Sequence, residues 1–257
     1  MDLISLARQL MEAETSQNPI DPLTAKYPEM SVDDAYQIQL AIVGNRLKQG
    51  HKIIGKKIGL TSEGMQQLLH VNEPDYGHLF DNMILDEGHP CQRSTLIRPR
   101  VEGELAFVLK DRLMGPGINV ADVYRATAGI MPAIEIVDSR IKSWKIKLED
   151  TIADNASSAR LVIGQRMVAI EAVDLYHVGM VLHKNGRMIN NGTGAAVLGH
   201  PANAVAWLAN KLSAYDIALE PGEIILSGAI TGAVDAEADD NFTVSFHGLG
   251  TLHLRFE

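Results

Sequence analysis

The chain has 257 residues, a formal net charge of −9, 46% apolar and 21% charged residues, and one cysteine. That length can bury a substantial core. The acidic balance argues against nucleic acid, which needs clustered Lys and Arg, and no segment approaches the roughly 20 apolar residues of a membrane span.

Residues 2–14 carry Leu3, Ile4, Ala7, Leu10 and Met11 at helical spacing, and Asn18-Pro19-Ile20-Asp21-Pro22 breaks that helix. The opening Met1-Asp2-Leu3-Ile4-Ser5 lacks the basic-then-apolar order of a signal peptide, so a soluble cytoplasmic protein is expected. Ser31-Val32-Asp33-Asp34 has capping-box spacing and opens a second helix, with Ala35, Ile38, Ala41 and Ile42 inward and Gly50 at its end. His51 to Leu60 is a strand-like run in which Lys52, Lys56 and Lys57 interleave with isoleucines, and Thr61-Ser62 caps a short helix with Met65, Leu68 and Leu69. Val71 to Phe80, with Pro74 and Gly77, reads as an irregular loop displaying Asp75. Cys91 lies in a polar stretch as a bystander thiol, and one cysteine excludes a disulfide or a multi-cysteine metal site.

Arg98 to Leu109 reads as a strand with Val101, Gly103, Leu105, Phe107 and Leu109 on one face and Glu102, Glu104, Ala106 and Val108 on the other. Two carboxylates about 7 Å apart on one face need either water or a cation. An edge strand with a solvated charged face and a site for a hard divalent cation both satisfy the pattern. Asn119 then caps a helix from Val120 to Thr127. The strand Ile130 to Val137 puts a third acid, Glu135, in apolar surroundings. Trp144 to Ala153 is amphipathic, with Trp144 read as packing, and Asp154-Asn155-Ala156-Ser157-Ser158 ends it before the strand Arg160 to Ile163. Asn185-Gly186 turns a hairpin between Met180–His183 and Met188–Ile189. A helix from Pro201 to Ala214 starts at His200, and strands Glu223–Leu226, Phe242–Phe246 and Thr251–Phe256 close the chain. Early helices and later, unevenly spaced strands predict an α+β fold with an antiparallel or mixed sheet. Residues 1–50 are expected to form a helical cap or oligomerisation segment beside a β domain spanning 51–257 that would carry any catalytic site. Glu102, Glu104 and Glu135 suit Mg²⁺ or Mn²⁺ better than zinc, which favours His and Cys.

Six motifs carry a resemblance. They are Lys57-Ile58-Gly59-Leu60-Thr61-Ser62, Glu102-Gly103-Glu104, Pro132-Ala133-Ile134-Glu135, Asp154-Asn155-Ala156-Ser157, Leu198-Gly199-His200-Pro201 and Gly222 to Gly228. In this order, from about Tyr27 to the last residue, the chain resembles the fumarylacetoacetate hydrolase superfamily, and within it the hydratase and decarboxylase branch of catechol meta-cleavage. The resemblance implies a mixed β-roll core, Mg²⁺ or Mn²⁺ on Glu102, Glu104 and Glu135, a small anionic 2-oxo or 2-hydroxy acid substrate, and a homo-oligomer able to associate with a partner hydratase or decarboxylase. Two lyase reactions are open: hydration of 2-hydroxypenta-2,4-dienoate to 4-hydroxy-2-oxopentanoate, and decarboxylation of 4-oxalocrotonate (2-oxo-3-hexenedioate). Pro74-Asp75-Tyr76-Gly77 is similar to the hydratases, whereas Gly194 to His200 resembles the decarboxylases.

Asp75 is the candidate for positioning and deprotonating water. Lys57 is the candidate proton carrier, its pKa expected to fall if Ile54, Ile58 and Leu60 bury it. Asn155 and Ser157 are candidates for the substrate carboxylate. Each has a plainer alternative: an ion pair for Lys57, an Asx turn for Asp75, and a self-capped helix end for Asn155 and Ser157. His200 is read as structural. A weakly active metal-binding partner subunit is the non-enzymatic alternative.

Overall fold

The computed structural model describes residues 1–62, 64, 66–67, 71 and 73–257. The helix expected after Thr61-Ser62, with Met65, Leu68 and Leu69, lies outside the described residues. The chain begins with α1 (Leu3–Ser16), α2 (Leu23–Lys26) and α3 (Val32–Lys48). Asp2 caps α1 by accepting from the Ser5 N–H, and Ser31 and Asp34 make a reciprocal capping box at α3. Leu6, Ala7, Leu10 and Ala13 of α1 and Ala35, Ile38 and Ile42 of α3 are buried, so the helical periodicity marks the inward faces.

A seven-stranded sheet runs in the order β2 (Asp75–Phe80), β1 (Ile53–Gly59), β8 (Ile224–Leu226), β3 (Arg100–Leu109), β4 (Thr127–Val137) and β5 (Ser158–Ile163), with β9 (Val234–Asp235) also pairing β3. Only β1 and β8 run parallel among these pairs, which makes the sheet mixed. A second, antiparallel sheet has the order β11 (Gly250–Arg255), β10 (Asn241–Phe246), β6 (Gly179–Lys184) and β7 (Arg187–Thr193). Helices α4 (Val120–Ala126), α5 (Leu148–Ala153) and α6 (Pro201–Leu212) complete the framework. No described helix is long and apolar enough to cross a membrane.

The two sheets meet at Gly103, where an added Cβ would lie 2.9 Å from Val244 and 3.2 Å from Met180. Val101, Leu105, Phe107 and Leu109 flank that contact and are buried. Each contributes on the order of 1.5–3 kcal/mol, which helps to offset the cost of carrying Glu102 and Glu104 on the opposite face. Beside those glutamates, on the same face of the sheet, Ala106, Ala133, Leu161 and Leu226 belong to a second apolar cluster. Leu6, Leu10, Tyr36 and Ile38 belong to the same continuous core as β3 and β4. The helices also grip the wall beside the glutamates, where Asp150 of α5 accepts from the Thr24 N–H at 3.0 Å and Oγ1 at 2.6 Å.

Two expectations need correction. Asp75–Phe80 is a fully buried strand paired with β1, not an irregular loop. Gly77 is required there because an added Cβ would stand 2.4 Å from the Asn155 carbonyl oxygen. The amphipathic stretch is helical only from Leu148; Lys142–Trp144 is a separate turn with Ser143 and Trp144 at positive φ.

Candidate active site

Cross-strand pairing aligns Glu102 with Glu135, and Glu104 follows two residues along the same face of β3. One carboxylate oxygen from each of Glu102, Glu104 and Glu135 lies within 4.8 Å of the others, close enough to share one ion at ligand distances of roughly 2.0–2.6 Å. Glu104 Oε2 accepts the Gly228 N–H at 2.8 Å, while Glu104 Oε1 and both oxygens of Glu135 lack a hydrogen bond. Buried carboxylate oxygens without donors are the positions a hard cation satisfies. The residues therefore fit Mg²⁺ or Mn²⁺. Burial, with Glu135 and Asp75 nearby, pushes Glu102 up to about 7 against the pull of Lys57. Burial and the two neighbouring glutamates hold Glu104 well above its ordinary range.

Lys57 and Gly59 on β1 face the same side as Asp75 and Gly77 on β2, through the pairs Lys57–Gly77 and Gly59–Asp75. Strand β8 separates β1 from β3 for only three residues, and beyond it Gly228 turns at φ +110°. From β1 the Lys57 side chain reaches across to β4, where its Nζ lies 3.2 Å from Glu135 Oε2 as an ion pair without hydrogen-bond alignment. The expected fall in the Lys57 pKa is not found. Burial does lower it, but Glu135, Asp75, Glu102 and Glu104 outweigh burial and raise it, so Lys57 stays an ammonium. The ion-pair alternative thus describes its immediate contact.

Asp75 is not in an Asx turn. Its Oδ2 accepts from Thr151 Oγ1 at 2.9 Å, and Oδ1 has no hydrogen-bond partner. Burial raises its pKa against the pull of Lys57 and Thr151. Gly59 makes room for it: an added Cβ would stand 2.2 Å from Oδ1.

These groups line a cavity of about 680 Å³ with Glu102, Arg100, Trp144, Ile146, Ser157 and the 229–233 loop. Trp144 is a wall of the cavity as well as packing: the Arg100 guanidinium lies 4.4 Å from its ring centroid, and its Nε1 donates to Arg98 O at 3.1 Å. Asn155, Ala156 and Ser157 all have positive φ, a conformation costing about 1–2 kcal/mol per residue. Buried Arg140 anchors the turn, pairing with the Asp154 carboxylate and carbonyl and donating to Asp138 O at 2.7 Å and Ser158 O at 3.1 Å. Ser157 lines the cavity, its hydroxyl donating to Asp154 at 3.2 Å. Asn155 departs from its expected place. Its Oδ1 accepts the His78 N–H at 2.8 Å and its Nδ2 donates to His78 O at 2.9 Å, so its amide is spent on β2 and does not line the cavity. His200 caps α6, Nδ1 accepting the Ala202 N–H.

Thr151, Gln39 and the Arg140–Asp154 pair escaped the sequence reading. Thr151 had one usable signal, a hydroxyl three residues before the Asp154-Asn155-Ala156-Ser157 motif.

The fumarylacetoacetate hydrolase C-terminal family matches residues 71–257. The chain is 46% identical over 251 residues to a 2-hydroxyhexa-2,4-dienoate hydratase of Comamonas testosteroni, covering 97% of this chain and 95% of that one. It is 48% identical over 214 residues to a 2-hydroxypent-2,4-dienoate hydratase of Pseudomonas putida, covering 83% and 96%. The solved 4-oxalocrotonate decarboxylase of Pseudomonas putida G7, complexed with magnesium and adipate, superposes with a TM-score of 0.97 at 40% identity, over 99% of this chain and 97% of that one. With the family match spanning most of the chain and its three glutamates, the protein belongs to the fumarylacetoacetate hydrolase family.

Proposed function

We propose that the protein is a metal-dependent lyase that hydrates 2-hydroxypenta-2,4-dienoate, or a close 2-hydroxydienoate, to the 4-hydroxy-2-oxo acid. The observation that carries this reading is Asp75: a buried carboxylate at the cavity wall, held through one oxygen by Thr151 and with the other free of hydrogen bonds. Two relatives at 46% and 48% identity named as dienoate hydratases support it.

Glu102, Glu104 and Glu135 would hold Mg²⁺ or Mn²⁺. When bound, the cation supplies Lewis acidity for a substrate's 1-carboxylate and 2-oxygen. Lys57, kept protonated by its carboxylate neighbours, delivers a proton to C5 as the 2-hydroxyl loses one, converting the dienol to a conjugated 2-oxo acid. Asp75, whose raised pKa makes it a stronger base than an exposed carboxylate, accepts a proton from water as oxygen adds to C4, and that proton is then passed on to C3, which leaves Asp75 ionised again. Ser157 meets the substrate from the strained turn, and Trp144 and Ile146 exclude water. We further propose a cytoplasmic homo-oligomer in which residues 1–50 contribute to assembly and to association with a partner enzyme of the same pathway.

Arg100 favours a second reading. Its Nε donates to Asp235 at 2.8 Å while the guanidinium stays at the cavity wall, placed to meet a second carboxylate such as that of 4-oxalocrotonate. Asp75→Leu tests the role given to Asp75. Hydration should fall at least 10²-fold, the scale of a lost general base, while deuterium exchange into the carbon chain in D₂O continues. An equal fall in both would assign Asp75 to the earlier step.

A further inference from the structure

Gln39 lies on α3, outside the cavity, yet its side chain is fully buried and every polar atom is engaged. Nε2 donates to Tyr76 O at 2.8 Å and to Ile152 O at 2.9 Å, and Oε1 lies 3.1 Å from His78 Nδ1. Two carbonyl acceptors fix which end of the amide is nitrogen, so Oε1 is the acceptor and Nδ1 carries the hydrogen of a neutral imidazole. Burial keeps His78 neutral, its pKa pushed down to about 3. The carbonyls that Gln39 bridges belong to the residues that directly follow Asp75 and Thr151. Those two side chains make the 2.9 Å hydrogen bond that leaves Asp75 Oδ1 free. His78, held by the same amide, is also the strand residue clasped by Asn155, which opens the turn carrying Ser157.

We infer that Gln39 is a positioning residue: it ties β2 to the end of α5 and thereby sets the Asp75–Thr151 pair, making α3 part of the hydration apparatus. This rests on the proposed role of Asp75. A neutral amide suits the task because it supplies two donors and one acceptor without placing a charge at a fully buried position. Displacements of about 1 Å in a supporting shell can cost on the order of 10²-fold in rate.

The test uses the full chain with saturating Mg²⁺ and 2-hydroxypenta-2,4-dienoate, following hydration and deuterium exchange in D₂O for Gln39→Met, Thr151→Val, the double variant and Asp75→Asn. Gln39→Met should lower the kcat of hydration about ten- to a hundredfold, with KM and exchange within about twofold, and should add less than about threefold in the Thr151→Val background. Equal loss of hydration and exchange, or full additivity with Thr151→Val, would overturn the inference. If Asp75→Asn itself leaves the ratio of hydration to exchange unchanged, the role of Asp75 fails. If Asp75→Asn shifts that ratio and Gln39→Met does not, only the role of Gln39 fails. Should Gln39→Met not fold, Gln39→Glu keeps an acceptor for His78 while giving up both amide donors, and the same ratio decides.

Discussion

Replacing Glu104 with Gln separates the charge cluster from the fold that carries it. In the cation-free protein Glu102 is raised from its ordinary 4.5 to about 7. The folded state therefore binds that proton more tightly than the unfolded chain, and the contribution of Glu102 to stability is fully present below about 4.5 and is lost as pH rises to about 7, by roughly 3 kcal/mol. Glu104 is displaced in the same direction. For a chain of this size the loss corresponds to an unfolding temperature lower by about 6–12 °C. A divalent cation reverses it, because ligation needs the carboxylates ionised. At a hundred times its dissociation constant the ion adds about 2.7 kcal/mol, or about 5–10 °C. Glu104→Gln keeps an oxygen for the Gly228 N–H and removes one buried charge. Scanning calorimetry at pH 8 should then show a cation-free variant at least as stable as the unaltered protein, with the Mg²⁺-induced rise abolished. A Glu104→Gln protein that keeps the full Mg²⁺ rise would refute the shared site.

Two further substitutions probe the remaining groups. Lys57→Ala should lower kcat by on the order of 10²-fold or more; retention of most of the rate would leave Lys57 as the ion-pair partner of Glu135 alone. Gly59→Ala puts a methyl group 2.2 Å from Asp75 Oδ1, so hydration should fall sharply while the Mg²⁺-induced rise in unfolding temperature persists. Unchanged hydration would show that Asp75 tolerates displacement.

The carboxylate pair was legible because strand alternation has a fixed period of two, so Glu102 and Glu104 share a face wherever the strand sits. Their meeting with Glu135 depends on the register between β3 and β4, which no local pattern encodes. Pro74 and Gly77 read as loop residues, yet Gly77 serves the close approach of Asn155. The burial of Lys57 could be anticipated from its isoleucine neighbours. The direction of its pKa could not, since that depends on four carboxylates brought from β2, β3 and β4. In Asn155-Ala156-Ser157 only Asn155 favours the left-handed region; Ala and Ser have no preference for it, and the turn is held by the bonds that Arg140 and His78 make to it. Gln39 looked like one polar residue on an amphipathic helix, and only the docking of α3 against β2 and α5 reveals what it holds.

The most direct test of the central claim compares two reactions of the unaltered protein with Mg²⁺. Initial rates are measured for 4-hydroxy-2-oxopentanoate formation from 2-hydroxypenta-2,4-dienoate and for CO₂ release from 2-oxo-3-hexenedioate. Hydration should be the faster reaction and should stop when a chelator removes the cation. Faster CO₂ release would contradict the assignment of Asp75 and make the protein a decarboxylase, and hydration that persists in chelator would contradict the role of Glu102, Glu104 and Glu135.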